Sequence, residues 1–410
     1  MTDVADVVVV GGGVFGVSLA HHLHDQGAKV RIVERDGIAQ ATSTCGAGFV
    51  AYWAGGWGAQ AESADMVACE RYGLDFYTEL HEEFPVFPLR RNGSLYLATR
   101  DGGWDQGMKP IVESSLVPGR QILDRNEAVE LGQIVRADAV VGGVFDPDPV
   151  QVDAHGAVLA AAQRLRSRGV AIDERRPATR LIVSEGRVRG VETPYGDILA
   201  ETVVLAAGMW SNQLLAPHSV WLPYAPMGAL RITTEPLAIP DTMPMLLIPD
   251  ASHAWVREKN GGLLFGCAYN GQHRSALLDV DPPDRLREMP MDGLRETQRL
   301  GAQLASVLPP LGRYQDFTYT EGAPCFTPDL LPLIGEVPEI SGVYVFGGDN
   351  ESGITHAPAL GRALAQMITG HEPFVPMEQF RPDRFNGQFT TAREVAHSVA
   401  RSRGEGGVFQ

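Results

Sequence analysis

The alternation of apolar and polar residues in the first 35 positions predicts a strand, a turn, a helix and a second strand. Val7–Val10 is an unbroken β-branched run, which is typical of a strand buried on both faces of a parallel sheet. Apolar residues then recur at helical spacing as far as Leu23, and Gly27 ends this helix before an apolar strand over residues 29–33. The start of the chain therefore has the order of a β-α-β unit.

Three glycines of the first turn each meet a physical requirement of dinucleotide binding. Gly11 suits the tight turn, Gly13 lets the backbone approach a pyrophosphate, and Gly16 lets the helix pack closely on the strand. The helix N-terminus offers unpaired N–H groups to phosphates. Glu34 follows the second strand, where a carboxylate accepts hydrogen bonds from ribose hydroxyls and disfavours a 2′-phosphate. The unit predicts a dinucleotide, which is either NAD or FAD.

The pattern of the remaining chain predicts further helices and strands and a second glycine turn. Helical spacing occurs over residues 63–82, 124–131, 154–168, 283–306 and 354–368. Strand-like runs occupy residues 93–99, 170–173, 180–184, 187–193, 202–206, 254–268 and 342–346, the stretch 223–249 alternates as antiparallel strands do, and residues 102–121 are expected to be irregular. Because the glycine turn 347–353 again joins a buried strand to a helix, we expect the first domain to be discontinuous.

Composition and charge narrow the class of protein. The 410 residues exceed the usual size of one domain, so two domains are expected, and 44% hydrophobic residues suffice for a large core. A net charge of −16 disfavours nucleic acid and anionic membranes as partners. No apolar run is long enough to span a bilayer and the N-terminus does not resemble a signal peptide, so we expect a cytoplasmic location. The four cysteines lack metal-ligand spacing, so no metal site is predicted.

Several motifs, in this order along the chain, resemble the D-amino-acid oxidase superfamily of FAD enzymes. The closest pattern is the flavin part of dimethylglycine and sarcosine dehydrogenases. The matching pieces are VVVVGGGVFGVSLAHHL with Glu34 and Arg35, the pair Ala47–Gly48, VVLAAGMWS, EGAPCFTPDLLPLIGE, SGITHAPALGRALAQMI and the closing FRPDRF. The resemblance implies that the dinucleotide is FAD.

The resemblance also implies an α/β fold with two domains. A Rossmann-like FAD-binding domain is expected to be discontinuous, with residues 1–62, 146–220 and 323–385. A mainly antiparallel α+β substrate domain is expected to comprise residues 63–145 and 221–322. Residues 386–410 form a polar tail that we expect to fray.

The resemblance implies which part of FAD each motif contacts. The pyrophosphate is expected at Gly11, Gly13, Val14, Phe15 and Gly16, and on its other side at Ala207, Gly208 and Trp210. The adenosine is expected at Glu34, Arg35 and the backbone of Ala178. The ribityl chain and ring are expected at Thr42, Ser43, Cys45, Gly46, Ala47 and Gly48, and the flavin pyrimidine at Gly348, Asn350, Ser352, Gly353, Ile354 and Thr355.

Two positions depart from the relatives. Cys45 stands where relatives with covalently bound flavin carry a histidine, and two interpretations stay open: a covalent link from its thiolate, or a small buried residue beside non-covalent FAD. Oxidases of the sarcosine type place a lysine over the flavin in the strand that corresponds to residues 262–266. This chain has Leu263, Leu264 and Phe265 there, which favours a dehydrogenase.

The candidate catalytic residues are less specific than the cofactor motifs. Relatives hold an amino-acid carboxylate with arginine, whose planar fork binds it bidentately. The late loop 322–325 has no arginine, so the candidates are Arg231 and Arg257, for which a solvated charge at a sheet edge is an equal alternative. Further candidates are Tyr269, His253, His273 and His356. Four aromatic residues are expected either to form a wall around an alkylated amine or to pack in the core. They are Tyr52, Trp53, Trp57 and Trp255.

These expectations combine into one function and its rivals. The main one is oxidation of a C–N bond in a small secondary or tertiary amine, such as an N-methylated amino acid, by hydride transfer to flavin N5 and hydrolysis of the imine. The electron acceptor is a protein, a quinone or oxygen. The chain ends soon after Phe385, without the C-terminal folate-binding region of the large dehydrogenases, so formaldehyde is expected to leave free or to pass to a partner. The rivals are oxidation of a 2-hydroxy acid or a specialised secondary metabolite, and an FAD-carrying subunit of a larger complex.

Overall fold

A computed structural model describes residues 3–53, 63–99, 104, 108–250, 254–267, 282–286 and 292–402. Within these residues the α-helices are α1 (Val14–Asp25), α2 (Ala64–Glu83), α3 (Lys109–Glu113), α4 (Arg125–Gly132), α5 (Ala154–Ser167), α6 (Ser211–Leu215), α7 (Asp292–Leu304), α8 (Gly353–Ile368) and α9 (Ala392–Ala400). The first strands are β1 (Asp3–Val4), β2 (Val7–Val10), β3 (Val30–Val33), β4 (Phe49–Val50), β5 (Leu89–Arg90), β6 (Ser94–Thr99), β7 (Gln121–Asp124), β8 (Val140–Asp146), β9 (Val150–Val152), β10 (Ala171–Asp173), β11 (Arg180–Ser184) and β12 (Arg187–Glu192). The remaining strands are β13 (Ile198–Leu199), β14 (Thr202–Leu205), β15 (Ala225–Pro226), β16 (Ala229–Thr234), β17 (Met245–Ile248), β18 (Ala254–Lys259), β19 (Gly262–Cys267), β20 (Phe317–Gly322), β21 (Cys325–Phe326), β22 (Leu333–Glu336) and β23 (Val343–Gly347).

A six-stranded sheet in the order β10-β3-β2-β14-β23-β22 forms the centre of the first layer. All of its pairs are parallel except β22 with β23. The four residues of β2 are all buried, because helices cover one face of the sheet and the strands β11, β12 and β13 pack on the other. Because its strands come from stretches of sequence that lie far apart, the predicted discontinuous Rossmann-like architecture is confirmed.

Helices α1, α8, α2 and α5 cover one face of this sheet and share its apolar core. The helices α1 and α8 pack side by side, and Gly361 of α8 lies so close to α1 that a Cβ atom there would come within 3.0 Å of the backbone nitrogen of Leu19. The helix α2 packs against α8 and contributes Leu74 and Leu80 to the same core. Residues 64–83 therefore pack with the parallel sheet, although the sequence assigned them to the substrate domain.

An eight-stranded sheet in the order β20-β16-β19-β18-β17-β6-β8-β7 forms the second layer. Its pairs are antiparallel except β17 with β6, so the expected mainly antiparallel sheet is confirmed. Because successive side chains of a strand point to opposite faces, the two faces of this sheet pack against different residues. Ile232 and Phe265 face α7, whereas Leu247, Trp255 and Leu264 pack in a separate cluster on the other face.

Three details of the secondary structure differ from the sequence-based expectation. Residues 392–400 of the expected frayed tail form α9, which Thr391 caps and whose Val395 and Val399 are fully buried against β15 and β21. The stretch 283–286 is not α-helical, and α7 begins at Asp292. The short helix α3 lies within the stretch 102–121 that was expected to be irregular. None of the helices that the structure describes is both long and apolar enough to cross a bilayer.

Candidate functional site

A cavity of about 560 Å³ lies at the carboxyl ends of β2, β3, β14 and β23 and extends to the inner face of the antiparallel sheet. Open α/β sheets bind ligands at these strand ends, because loops and helix N-termini converge there. One end of the cavity is lined by Glu34, Arg35, Ala178 and Trp210. The other end is lined by Trp53, Leu247, Trp255 and Arg231, so the cavity is long enough to join the two layers.

The first glycine turn forms a cradle that side chains would fill. Gly11 has a φ of +115°, and a Cβ atom there would overlap the carbonyl oxygen of Ala206. A Cβ atom at Gly16 would likewise overlap the carbonyl oxygen of Gly11, which is the close helix packing that the sequence predicted. The N–H of Val14 donates to Ser43 Oγ over 3.0 Å at the start of α1. This backbone-lined cradle fits the pyrophosphate of a dinucleotide.

The end of the cavity where the sequence predicted the adenosine contains a carboxylate that the backbone holds in place. Glu34 accepts hydrogen bonds from the N–H groups of Gly12, at 2.7 Å, and Asp36, at 2.8 Å. Burial nevertheless raises the pKa of Glu34. The Arg35 guanidinium lies 4.2 Å from the centroid of the Trp210 ring, whose Nε1 donates to the carbonyl oxygen of Pro283 at 2.9 Å. These contacts form the wall at this end of the cavity.

The second glycine turn, between β23 and α8, has an unusual backbone. Asn350 and Glu351 have φ values of +51° and +79°, a region that non-glycine residues rarely adopt. The Asn350 side chain compensates in part, because its Oδ1 accepts the N–H of Thr327 at 3.0 Å and its Nδ2 donates to the carbonyl oxygen of Gly348 at 2.8 Å. Such local strain persists only where the surroundings fix it, and it is concentrated at ligand-binding sites.

An ion pair lies at the end of the cavity next to the antiparallel sheet, which is the end where the sequence predicted the flavin ring. Arg231 on β16 and Glu351 of the second glycine turn approach to 3.4 Å, and both side chains are largely buried. The Arg231 guanidinium also lies 4.9 Å from the centroid of the Trp255 ring. The pair joins the antiparallel sheet to the second glycine turn, and both residues line the cavity.

Cys45 lies beside this ion pair in an environment that opposes its thiolate form. Burial raises the pKa of the Cys45 thiol, and Arg231 only partly offsets this. The Cys45 Sγ lies 3.5 Å from the carbonyl oxygen of Thr320 and 3.7 Å from that of Ala229. Carbonyl oxygens accept a hydrogen bond from a thiol but repel a thiolate, so the two carbonyl contacts favour the neutral thiol.

Most residues that the resemblance assigned to FAD line the cavity. The exceptions are Gly16, Gly48 and Thr355, which lie behind its wall. The Thr355 hydroxyl donates to the carbonyl oxygen of Phe49 at 3.1 Å and accepts from Trp53 Nε1 at 3.1 Å, so it orients an aromatic wall residue. A side chain at Gly48 would overlap the carbonyl oxygen of Val152.

The structure separates the catalytic candidates. Arg231 lines the cavity, whereas Arg257 and His356 do not. Burial lowers the pKa of Arg257 to about 10, although Asp153 opposes this, and the side chain lies beneath the loop that contains Gly48. Trp53 and Trp255 line the cavity, but Tyr52 packs in the core of the parallel sheet. The other candidates lie outside the described residues, namely Trp57, His253, Tyr269 and His273.

Sequence reasoning missed several lining residues, of which Asp36, Asp284, Asp349 and Glu351 carry charge. Asp349 and Glu351 belong to the turn that the sequence did identify, but no pattern along the chain distinguishes these four from solvated acids of a loop. Phe49 and Leu247 were missed for a similar reason, since apolar residues of a strand do not reveal which face meets a ligand.

Comparison with known proteins places these features in a family. The family model "DAO: FAD dependent oxidoreductase" matches residues 6–367. The chain is 27% identical over 393 residues to 4-methylaminobutanoate oxidase (formaldehyde-forming) of Paenarthrobacter nicotinovorans, covering 93% of this chain and 45% of that protein. It is 26% identical over 415 residues to mitochondrial dimethylglycine dehydrogenase of Rattus norvegicus, covering 98% and 47%. The chain thus spans less than half the length of these two relatives.

One solved structure supports the fold. L-proline dehydrogenase from P. horikoshii superposes with a TM-score of 0.79 at 23% identity, covering 95% of this chain and all of that one. At this identity the similarity concerns the architecture, which matches the two sheets described above.

Proposed function

The chain belongs to the DAO family of FAD-dependent oxidoreductases, and from this membership and the charges in the cavity we propose that it oxidises the C–N bond of a small N-alkylated amino acid. The two curated relatives carry names that refer to N-methylated amino acids or their oxidation. The cavity adds an argument from this chain's own residues. The end next to the antiparallel sheet contains aromatic and apolar side chains together with the ion pair of Arg231 and Glu351.

The observation that carries the proposal is the Arg231–Glu351 ion pair. Because both charges are largely buried, a ligand that separates them must replace each lost partner. An amino acid does so, since its carboxylate binds the Arg231 fork and its ammonium binds the Glu351 carboxylate. A 2-hydroxy acid offers a carboxylate to Arg231 but brings no cationic group to Glu351, and its carboxylate repels that of Glu351, so this rival is disfavoured.

The residues of the site would act as follows. Glu351 accepts the proton of the bound ammonium at a carboxylate oxygen, which leaves the neutral amine that oxidation requires. Trp53 and Trp255 flank the alkyl groups, while Phe49 and Leu247 exclude water. When bound, FAD supplies the acceptor for the hydride that leaves the carbon next to nitrogen. Water then hydrolyses the imine, which for an N-methyl group yields formaldehyde and the demethylated amino acid.

Position 264 carries leucine rather than lysine, which supports a dehydrogenase rather than an oxidase. Leu264 is opposite Arg257 in the β18–β19 pair and opposite Thr233 in the β16–β19 pair, and it packs with Trp255 on the flavin-facing side of the sheet. An ammonium group on this side would stabilise superoxide electrostatically, whereas the leucine side chain provides no charge. We propose that the electron acceptor is a protein or a quinone.

An anaerobic screen tests the substrate class. The purified flavoprotein is mixed with sarcosine, N,N-dimethylglycine, 4-methylaminobutanoate, the corresponding methylamines without a carboxylate, and lactate. Bleaching of the visible flavin band should be fastest with a zwitterion, and formaldehyde should form in proportion to the flavin reduced. Faster bleaching by lactate than by every zwitterion would refute the proposal.

A further inference from the structure

Three buried ionisable side chains form a network behind the second glycine turn. His356 in α8 lies between Asp349, with Nδ1 3.0 Å from Oδ1, and Glu70 of α2, with Nε2 3.2 Å from Oε1. None of the three is more than 4% exposed. Burial lowers the pKa of His356, but the two carboxylates outweigh this effect and raise it to about 10. The ring is therefore an imidazolium at neutral pH, bonded on both sides.

The network joins the two ends of the strained turn. Asp349 directly precedes Asn350 and Glu351, the two residues with positive φ, and His356 follows them in the first turn of α8. Non-glycine residues adopt this region only where the surrounding structure holds them in it. The Asp349–His356 hydrogen bond joins the residue before the strained pair to the helix that follows it. The Glu70–His356 hydrogen bond connects the same segment to α2, whose Gly73 contacts the carbonyl oxygen of Thr355.

The same segment provides much of the cavity wall. Asp349, Asn350, Glu351, Ser352, Gly353 and Ile354 all line the cavity, although His356 and Glu70 do not. A change at His356 therefore acts on the cavity indirectly, and its direct hydrogen-bond partner in the cavity wall is Asp349 of the turn. The network is also not a metal site, since none of the described groups of histidine, cysteine and carboxylate side chains has the arrangement to hold a metal ion.

We propose that His356, held between Glu70 and Asp349, is a positioning residue that fixes the turn 349–353 in the conformation that binds the flavin end of FAD. The role concerns the cofactor and does not depend on the identity of the substrate. Asp349 lines the cavity and Glu70 lies behind it, and both carboxylates act electrostatically on the groups around them, including His356. Negative charge there disfavours a reduced flavin that itself carries negative charge. Removal of one carboxylate should therefore make FAD easier to reduce.

The first test measures FAD affinity without turnover. The apoprotein is titrated with FAD for the wild type, for His356→Gln and for the control His22→Gln. His22 is a buried histidine of α1 that hydrogen-bonds the backbone of α8 at Pro358, and burial lowers its pKa to about 4, so it is neutral and remote from the turn. The dissociation constant should rise at least tenfold in His356→Gln and less than twofold in the control. A folded His356→Gln protein that binds FAD as the wild type does would overturn the proposal.

A second variant decides the outcome if His356→Gln does not fold. Glu70→Gln keeps the shape of the side chain and leaves the Asp349–His356 bond in place, so the protein should fold and bind FAD. Its flavin midpoint potential should move in the positive direction relative to the wild type, which a purely structural role of the network would not produce. An unchanged midpoint potential in this variant would count against the proposal.

Discussion

Gly73 of α2 lies directly against the carbonyl oxygen of Thr355 in α8, so closely that any side chain at position 73 would overlap this oxygen. The contact brings the middle of α2 onto the first turn of α8, next to the second glycine turn. Glu70, one helical turn before Gly73, thereby reaches His356. The close approach of the two helices is thus a condition for the buried network.

Replacement of Gly73 by alanine should destabilise the protein even though alanine favours helix. The gain in helix propensity is at most about 1 kcal/mol, whereas overpacking against a backbone oxygen costs about 1–3 kcal/mol. We expect a lower free energy of unfolding in urea and a weaker retention of FAD. The control is Asp75→Ala, an exposed position on the same helix, which should change stability little. Equal stability of the two variants would show that the close contact at Gly73 does not exclude a side chain from this position.

Stability should decline as the pH rises from about 6.5 to 10 through the contribution of His356. The pKa of His356 is about 10 in the folded protein, whereas the unfolded chain has the ordinary histidine value of 6.5. The contribution of this proton to the stability of the folded protein is therefore fully present below pH 6.5 and is lost as the pH approaches 10. One such group changes the free energy of unfolding by at most about 1.4 kcal/mol per pH unit. Urea unfolding of the apoprotein at pH 7, 8 and 9 measures the slope. The double variant Glu70→Gln, Asp349→Asn should have a shallower slope, and an identical slope would contradict this assignment.

Replacement of Arg231 by methionine should weaken binding of a carboxylated amine. The loss of a charge-assisted hydrogen bond of about 1.5–3 kcal/mol corresponds to a rise in KM of about 10- to 150-fold. The corresponding amine without a carboxylate should show a much smaller change, which separates the loss of a ligand contact from general damage. Steady-state kinetics with an artificial acceptor gives both values. An equal effect on both amines would argue against a carboxylate contact.

FAD should leave the protein completely on acid precipitation. The buried thiol of Cys45 has a raised pKa and lies near two carbonyl oxygens, so its nucleophilic thiolate form is rare. The supernatant should contain all of the yellow colour in the wild type, as in the Cys45→Ser variant. Colour that stays in the wild-type pellet but not in the variant pellet would establish a covalent link.

Reoxidation by dissolved oxygen should be at least tenfold slower than reoxidation by an artificial acceptor dye. The physical reason is the uncharged Leu264 on the face of the antiparallel sheet that contains Trp255, where we propose that the flavin binds, together with the pairing of Arg231 to Glu351. Stopped-flow absorbance of the reduced flavin gives both rates. Comparable rates would assign the protein to the oxidases of the family.

Local patterns of the sequence determined the architecture of the parallel sheet and its two glycine turns. A β-branched run, glycines at fixed offsets and a helical apolar period act over a few residues, so their structural meaning survives without knowledge of the fold. This is why Val7–Val10, Gly11 and Glu34 could be interpreted from the chain alone. The same applies to the helix from Gly353 and to the discontinuous first domain.

Only the tertiary structure decided which charged residues form the site. Arg231 and Arg257 are two strand arginines with similar sequence surroundings, yet one lines the cavity and the other lies beneath a loop, because register and face depend on pairing with distant strands. Glu70 and His356 are 286 residues apart, and their contact depends on the packing of α2 on α8. The helix α9 was missed for the same reason: a polar segment with few apolar residues is stabilised by what it packs against, and its partners β15 and β21 lie elsewhere in the chain.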